Sequence, residues 1–328
     1  MIRAALDHCG KDMPALLVTK YGHLDKGLDV YRNLSVIESA HPVPDSNSLR
    51  AGEALLEFVS GLSKDAVLLL LVSGGASALA EALPADYSLD DLQAMNRKML
   101  ADGLDIHAIN TKRKQISQIK AGKLLGRFKG GQARVFAISD VEGDSISVIG
   151  SGIGALPAIA LCEDMKTQII ASNAIAREAC EQAADNAGLD VIVSSENLYG
   201  DIMKVAADCA NTVLQGGVGI YVFGGEPTTT LPDNPGEGGR NQALAVAMAR
   251  EISGAENIFG LVAGTDGSDG PTKSAGGFFD RLNFKRVPGG EEALQAANTG
   301  QWLRRADALF VSGPTGTNVM DLMIVLKR

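Results

Sequence analysis

Strand-like apolar runs trade places with helical patterns along nearly the whole chain. Ala15–Thr19 and Ser35–Ser39 read as short strands. Asp45 to Leu62 then predicts a helix, with Leu49, Ala54, Leu55, Phe58 and Val59 on its apolar face. Ala66–Val72 is an unbroken Leu and Val run of the kind buried on both faces of a parallel sheet. It ends at Ser73-Gly74-Gly75-Ala76-Ser77, and a helical pattern follows from about Ser77. A largely helical stretch opens at Ser88-Leu89-Asp90-Asp91, an N-cap with an acidic first turn, and extends to about Phe128. The strand Arg134–Ile138 leads into Ser139-Asp140-Val141-Glu142-Gly143-Asp144.

After Gly150-Ser151-Gly152 the pattern resets. A strand at Gln168–Ala171, a helix from Ala174 to Ala187 and a strand at Asp190–Ser194 follow. A helix around Asp201–Leu214 precedes the strand Gly219–Phe223, which ends in Gly224-Gly225-Glu226. A Pro/Gly-rich loop, Asp233 to Gly239, delivers Arg240-Asn241-Gln242 to the start of another helix. The apolar runs Ile258–Ala263 and Leu309–Val311 introduce two further glycine-rich stretches, residues 264–272 and 313–318. The pattern predicts an α/β protein of two domains, 1–167 and 168–328, with mostly parallel, Rossmann-like sheets and an interdomain active-site cleft. Met320–Arg328 are free to return to the first domain on this reading.

Composition narrows the function. A net charge of −9 argues against a nucleic-acid surface, which needs a clustered basic face. The longest apolar run, Ala66–Val72, is too short to span a bilayer, and no leader opens the chain, so the expectation is a cytoplasmic protein that meets no membrane. The widely spaced Cys9, Cys162, Cys180 and Cys209 read as free thiols. Thirty-eight glycines with 5% aromatic residues suit many tight strand-to-helix turns.

The chemistry gathers in those turns. A strand that ends in a glycine-rich loop presents backbone N–H groups to phosphate. Ser73, Gly74, Gly75 and Ser77 form one such loop, without a Walker lysine or GxGxxG spacing; a plain tight turn accounts for it about equally well. Asp140, Asp144, Glu226, Asp266 and Asp269 also follow strands in glycine-rich loops, where most carboxylates merely close turns. In a phosphoryl-transfer enzyme one or two would hold magnesium. His107, Asn110, Thr111, Lys112, Arg113, Lys114 and Lys120 make a basic cluster in an acidic protein, by default a solvated helix face. Arg240, after Gly236-Glu237-Gly238-Gly239 and near a helix N-terminus, is the cation best placed to grip an anion at two points. A surface arginine after a flexible loop is the ordinary alternative.

Seven segments stand in one order: Ser73-Gly-Gly-Ala-Ser-Ala-Leu, Asp105 to Lys114 with Ile119-Lys-Ala-Gly-Lys-Leu, Ile138-Ser-Asp-Val-Glu-Gly-Asp, Gly224-Gly-Glu-Pro-Thr, Gly238-Gly-Arg-Asn-Gln, Gly264 to Thr272, and Gly313-Pro-Thr-Gly-Thr-Asn. With Tyr21-Gly-His and His41-Pro-Val-Pro-Asp, the order resembles the glycerate 2-kinase family, whose C-terminal part is called the MOFRL domain. The resemblance covers essentially the whole chain. It implies transfer of the γ-phosphoryl of ATP to the 2-hydroxyl of D-glycerate, with Mg2+, and leaves a homodimer open. It implies that the Ser73–Ser77 loop cradles nucleotide phosphates and that Arg240 and Lys120 are catalytic. By the same resemblance Asn110, Arg113 and Arg240 line the substrate site, and Asp140, Asp266 and Asp269 are metal candidates. Relatives named hydroxypyruvate reductase make a reductase the first alternative, against which no GxGxxG with a ribose-binding acid is present.

The departures are specific. The family's further N-terminal strand and Lys-bearing Gly-Ala-Gly-Lys segment are expected ahead of residue 1, and the region after Gly152 is shorter than the family's. Ala76, Lys273 and Met320 stand for a usual Gly, Asp and Asn. A truncated product, or a paralogue that binds nucleotide or glycerate without turnover, is the second alternative.

Overall fold

The computed structural model describes residues 1–101 and 106–328, and the side chains of these except at 96, 99–101 and 106–110. The chain forms two compact units, Met1–Ile170 and Ala171–Arg328.

In the first unit, α1 (Ile2–Cys9) precedes β1 (Ala15–Lys20) and β2 (Leu34–Ser39), which pair in parallel. Helix α2 (Ser46–Ser60) starts at a capping box in which Asp45 and Ser48 each bond the other's backbone. Strand β3 (Val67–Val72) pairs in parallel with β4 (Gln132–Ile138), and β5 (Asp164–Ala171) completes a β3-β4-β5 sheet. Between β3 and β4 lie α3 (Ala76–Leu79), α4 (Leu89–Ala101) and α5 (Ile106–Ile116). The helix expected from about Ser77 is a single turn, and beyond Ile116 the chain runs in tight turns rather than helix. Ile119, Leu124, Leu125 and Phe128 on those turns are fully buried beneath the sheet residues Ala133, Val135 and Ala137.

The second unit is a six-stranded sheet backed by helices. Helix α6 (Asn173–Asn186) leads to β6 (Val191–Asp201), α7 (Ile202–Gln215), β7 (Gly219–Thr228), α8 (Arg240–Glu251), β8 (Ile258–Gly264) and β9 (Gly276–Asp280). Then come α9 (Asn283–Arg286), α10 (Gly290–Gln295), α11 (Thr299–Arg305), β10 (Leu309–Phe310) and β11 (Asp321–Lys327). The strand order is β10-β9-β8-β11-β7-β6. β6, β7, β8 and β10 run one way, as an α/β fold requires, while β9 and β11 are inserted against them.

One expectation changes here. Residues 321–327 do not return to the first unit: Leu322–Leu326 are apolar on both sides, and they bury that apolar character as the strand between β7 and β8. The loop 264–272 joins β8 to its antiparallel neighbour β9. Helix α8 is buried all round from Asn241 to Ala249. Its Ala243, Ala245, Ala247 and Ala249 let the sheet and α7 approach closely, and the residue beneath Ala245 is Gly277, where a Cβ would lie 3.2 Å from the Ala245 methyl.

Met323 is fully buried at the centre of β11. Met323→Ala should cost about 2–5 kcal/mol. Trp302, the protein's one tryptophan, is buried in the same unit and reports its urea transition by fluorescence. An unchanged midpoint would show that β11 does not hold this sheet together.

Candidate active site

In the first unit the candidate groups sit at the carboxyl ends of β3 and β4. Gly75 takes φ +82°, a left-handed conformation open to glycine, and turns the chain from β3 into α3. Gly74 meets a different demand. A Cβ there would fall 1.8 Å from Asp140 Oδ2, so the loop after β3 and the carboxylate after β4 fit only without a side chain. Burial pushes the Asp140 carboxyl up from its ordinary value, opposed by its own backbone amide. Among the described residues no cation lies within ion-pairing distance of it. Ser73 is exposed, and Ser77 Oγ lies 2.8 Å from Ser151 Oγ.

Lys120 is paired inside the first unit. Its ammonium pairs with Glu81, and the two side chains are 2% and 0% exposed. Burial lowers the Lys120 pKa while Glu81 opposes the shift. Glu81 also accepts from its neighbour's amide, Ala82 N, at 3.0 Å. In this arrangement the charge of Lys120 is met by a buried carboxylate inside the first unit. Arg113 is half-buried in the field of the same Glu81, which opposes the lowering of its pKa by burial. Lys114 donates to Ser147 O at 2.7 Å. The side chains of His107 and Asn110 lie outside the described residues.

The second unit holds the more developed site. Asp321 begins β11 and stands opposite Gly225 of β7 and Gly264 of β8. Residues directly opposite share a face, so glycine on both sides leaves a pit around the carboxylate. Neither glycine is replaceable: a Cβ at Gly225 would lie 2.8 Å from Leu198 O, and one at Gly264 2.5 Å from Ser268 O. The first turn of α8 drops into the pit. Arg240 Nε donates to Asp321 Oδ2 at 2.6 Å and Nη2 to Oδ1 at 3.2 Å. Asn241 Nδ2 donates to the same Oδ1 at 2.9 Å. On its other side Arg240 Nη1 meets Glu226 Oε1 at 2.9 Å. Burial raises the Asp321 pKa, and Arg240 pulls against it.

Asp269 is the N-terminal cap of α8 supplied from another loop. Its two carboxylate oxygens accept Asn241 N at 3.1 Å and Gln242 N at 2.8 Å. Gly239 must be glycine because a Cβ would lie 2.3 Å from that carboxylate. With both oxygens committed and 3% exposure, Asp269 is removed from the metal candidates. Asp266 closes its own turn, accepting Ser268 N at 2.8 Å and Ser268 Oγ at 2.9 Å. Among the described residues, no group of three or more His, Cys, Asp or Glu is arranged to hold a metal. The loops 264–272 and 313–318 are knitted together. Thr315 Oγ1 donates to Thr265 O, and Thr265 Oγ1 to Met320 O, both at 2.6 Å.

Two family models match the chain in sequence order, a domain of unknown function, DUF4147, over residues 1–187 and the MOFRL family over 219–321. The D-glycerate 2-kinase of Thermotoga maritima is 32% identical over 99% of this chain and 87% of its own length. The chain belongs to the glycerate 2-kinase family. A crystal structure of glycerate kinase from Thermotoga maritima superposes with a TM-score of 0.91 at 29% identity, covering 99% of this chain and 88% of that one. A relative named putative hydroxypyruvate reductase, from Agrobacterium vitis, is 29% identical over 98% of this chain and 95% of its own length.

For this glycerate 2-kinase family member, the sequence pointed to Arg240 but not to Asp321 or Glu81, which hold the two key cations. The available signal was a carboxylate at the head of an apolar run: Asp321 before Leu322-Met-Ile-Val-Leu, and Glu81 within Ala78-Leu-Ala-Glu-Ala-Leu. A carboxylate so placed needs a cation when it is buried.

Lys120→Met should destabilise the protein by about 3–5 kcal/mol because it leaves Glu81 buried and unpaired, whereas adding Glu81→Met should recover most of the loss. Chemical denaturation of the single and double variants measures both, and an inert Lys120→Met would show that the pair does not hold this unit together. Asp269 gives a pH signature. Burial raises its carboxyl to about 6. The folded state then holds a proton that the unfolded chain, with an ordinary pKa of about 3.9, has released, so this group's contribution falls as pH rises from about 4 to 6. Stability of the wild type measured against Asp269→Asn should show that decline, and parallel curves would contradict it.

Proposed function

We propose that this protein phosphorylates D-glycerate at its 2-hydroxyl, with ATP as donor and Mg2+ bound to the nucleotide. The 2-hydroxyl oxygen forms a bond to the γ-phosphorus, the bond from that phosphorus to the ADP oxygen breaks, and the hydroxyl proton leaves to solvent or base. The observation that carries the reading is the held guanidinium of Arg240, a fixed cation with one edge anchored on Asp321 and its remaining N–H groups at a half-exposed surface. Such a fork suits the carboxylate of a small hydroxy acid or the transferring phosphoryl group.

The Ser73–Ser77 loop is assigned to nucleotide phosphates, since it turns from the carboxyl end of β3 into α3 through two glycines. Asp140 fits the metal best. It is a carboxylate without an ion-pair partner among the described residues, next to that loop, and magnesium held with phosphates needs only one or two protein carboxylates. Magnesium would supply charge neutralisation between the phosphates. Arg113 is assigned to the substrate side.

Incubation with D-glycerate and ATP should release ADP, and incubation with hydroxypyruvate and NADH should oxidise no NADH. The reverse pattern would establish a reductase. Arg240→Lys keeps the charge but loses the planar fork, and kcat/KM should fall roughly a hundredfold or more. Normal turnover in that variant would remove Arg240 from the mechanism.

A further inference from the structure

Arg240 lies between two carboxylates of different character. Asp321 is 2% exposed, fixed at the head of a central strand and bonded by Asn241 as well. Glu226 is 48% exposed at the end of β7, and its Oε1 lies 2.9 Å from Nη1 of the guanidinium. Two carboxylates around one guanidinium leave the group with an excess of one negative charge. An arriving anion therefore meets repulsion unless one carboxylate withdraws. Asp321 has nowhere to go, because Gly225 and Gly264 wall a pit that α8 closes. Glu226 can swing into solvent at small cost, since an exposed ion pair contributes little.

We propose that Asp321 is the positioning residue that fixes the Nε–Nη2 edge of Arg240, and that Glu226 is an exchangeable counter-anion that the anionic substrate displaces from Nη1. The inference rests on the assignment of Arg240 to the substrate and adds how its geometry and anion affinity are set. Asp321 holds the guanidinium plane whether or not substrate is present. Glu226 occupies Nη1 when the site is empty and sets a threshold against weakly bound anions, so that only a ligand able to use Nη1 and Nη2 together replaces it.

The two carboxylates then have opposite effects when neutralised. Glu226→Gln removes the competitor, and KM for D-glycerate should fall about two- to fivefold with kcat little changed. Asp321→Asn frees the guanidinium, and kcat/KM should fall roughly ten- to a hundredfold. In an Arg240→Ala background Asp321→Asn should cost less than about twofold, because a residue acting through Arg240 has nothing left to position. Calorimetric titration with 2-phosphoglycerate gives a parallel readout: tighter binding for Glu226→Gln and weaker binding for Asp321→Asn. Glu226→Gln alters an exposed group and tests the proposal even if Asp321→Asn fails to fold.

A tenfold loss of kcat in Glu226→Gln would overturn the proposal by placing Glu226 on the substrate or metal. An equal effect of Asp321→Asn with and without Arg240 would reduce Asp321 to a purely structural residue. If the wild type binds 2-phosphoglycerate with this pattern of variants yet turns over no glycerate, the kinase reading fails and the present one stands.

Discussion

A buried carboxylate organises the second unit. Asp321 is surrounded by the sheet, and a charge taken out of water costs several kcal/mol unless partners meet it. Those partners come from one place, the first turn of α8, whose Arg240 and Asn241 supply three donors to its two oxygens. For the helix to reach so low, the sheet must lack side chains beside the carboxylate, and Gly225 and Gly264 meet that condition. The same helix start is held from above by Asp269, which needs Gly239 to come close. Glycines, acids and arginine thus form one interlocked set, in which each glycine marks a place where a polar group passes.

The first unit repeats the logic without a cation. Gly74 admits the Asp140 carboxylate, yet Asp140 meets no arginine or lysine among the described residues, and burial raises its pKa. The first unit also holds a buried pair of the other kind, Glu81 with Lys120.

The parts of the fold legible in the sequence were those governed by short-range pattern. Ala66–Val72 and Gly219–Phe223 are apolar runs that lead into glycine-rich turns, and both lie in strands. The glycine-rich segments marked loops where polar side chains pass close to backbone, as Asp140 does at Gly74 and Asp269 at Gly239, because such an approach demands glycine. What escaped depends on pairing between distant segments. Nothing local tells that residues 321–327 insert between β7 and β8, or that the loop after β8 turns back into β9. Lys120 resembled its solvated neighbours Lys112 and Lys114, because its partner Glu81 lies 39 residues earlier.

Strand β11 follows every other strand of its sheet in the chain, yet it sits near the middle of the order β10-β9-β8-β11-β7-β6. During synthesis β7 and β8 appear first, each with a bare edge facing the gap that β11 will fill. Until residues 321–327 emerge, the growing polypeptide carries two unsatisfied strand edges and an apolar slot, features that invite mispairing with other chains. Successful maturation of this unit is therefore a race between the ribosome and aggregation, with molecular chaperones the natural guardians of the interval.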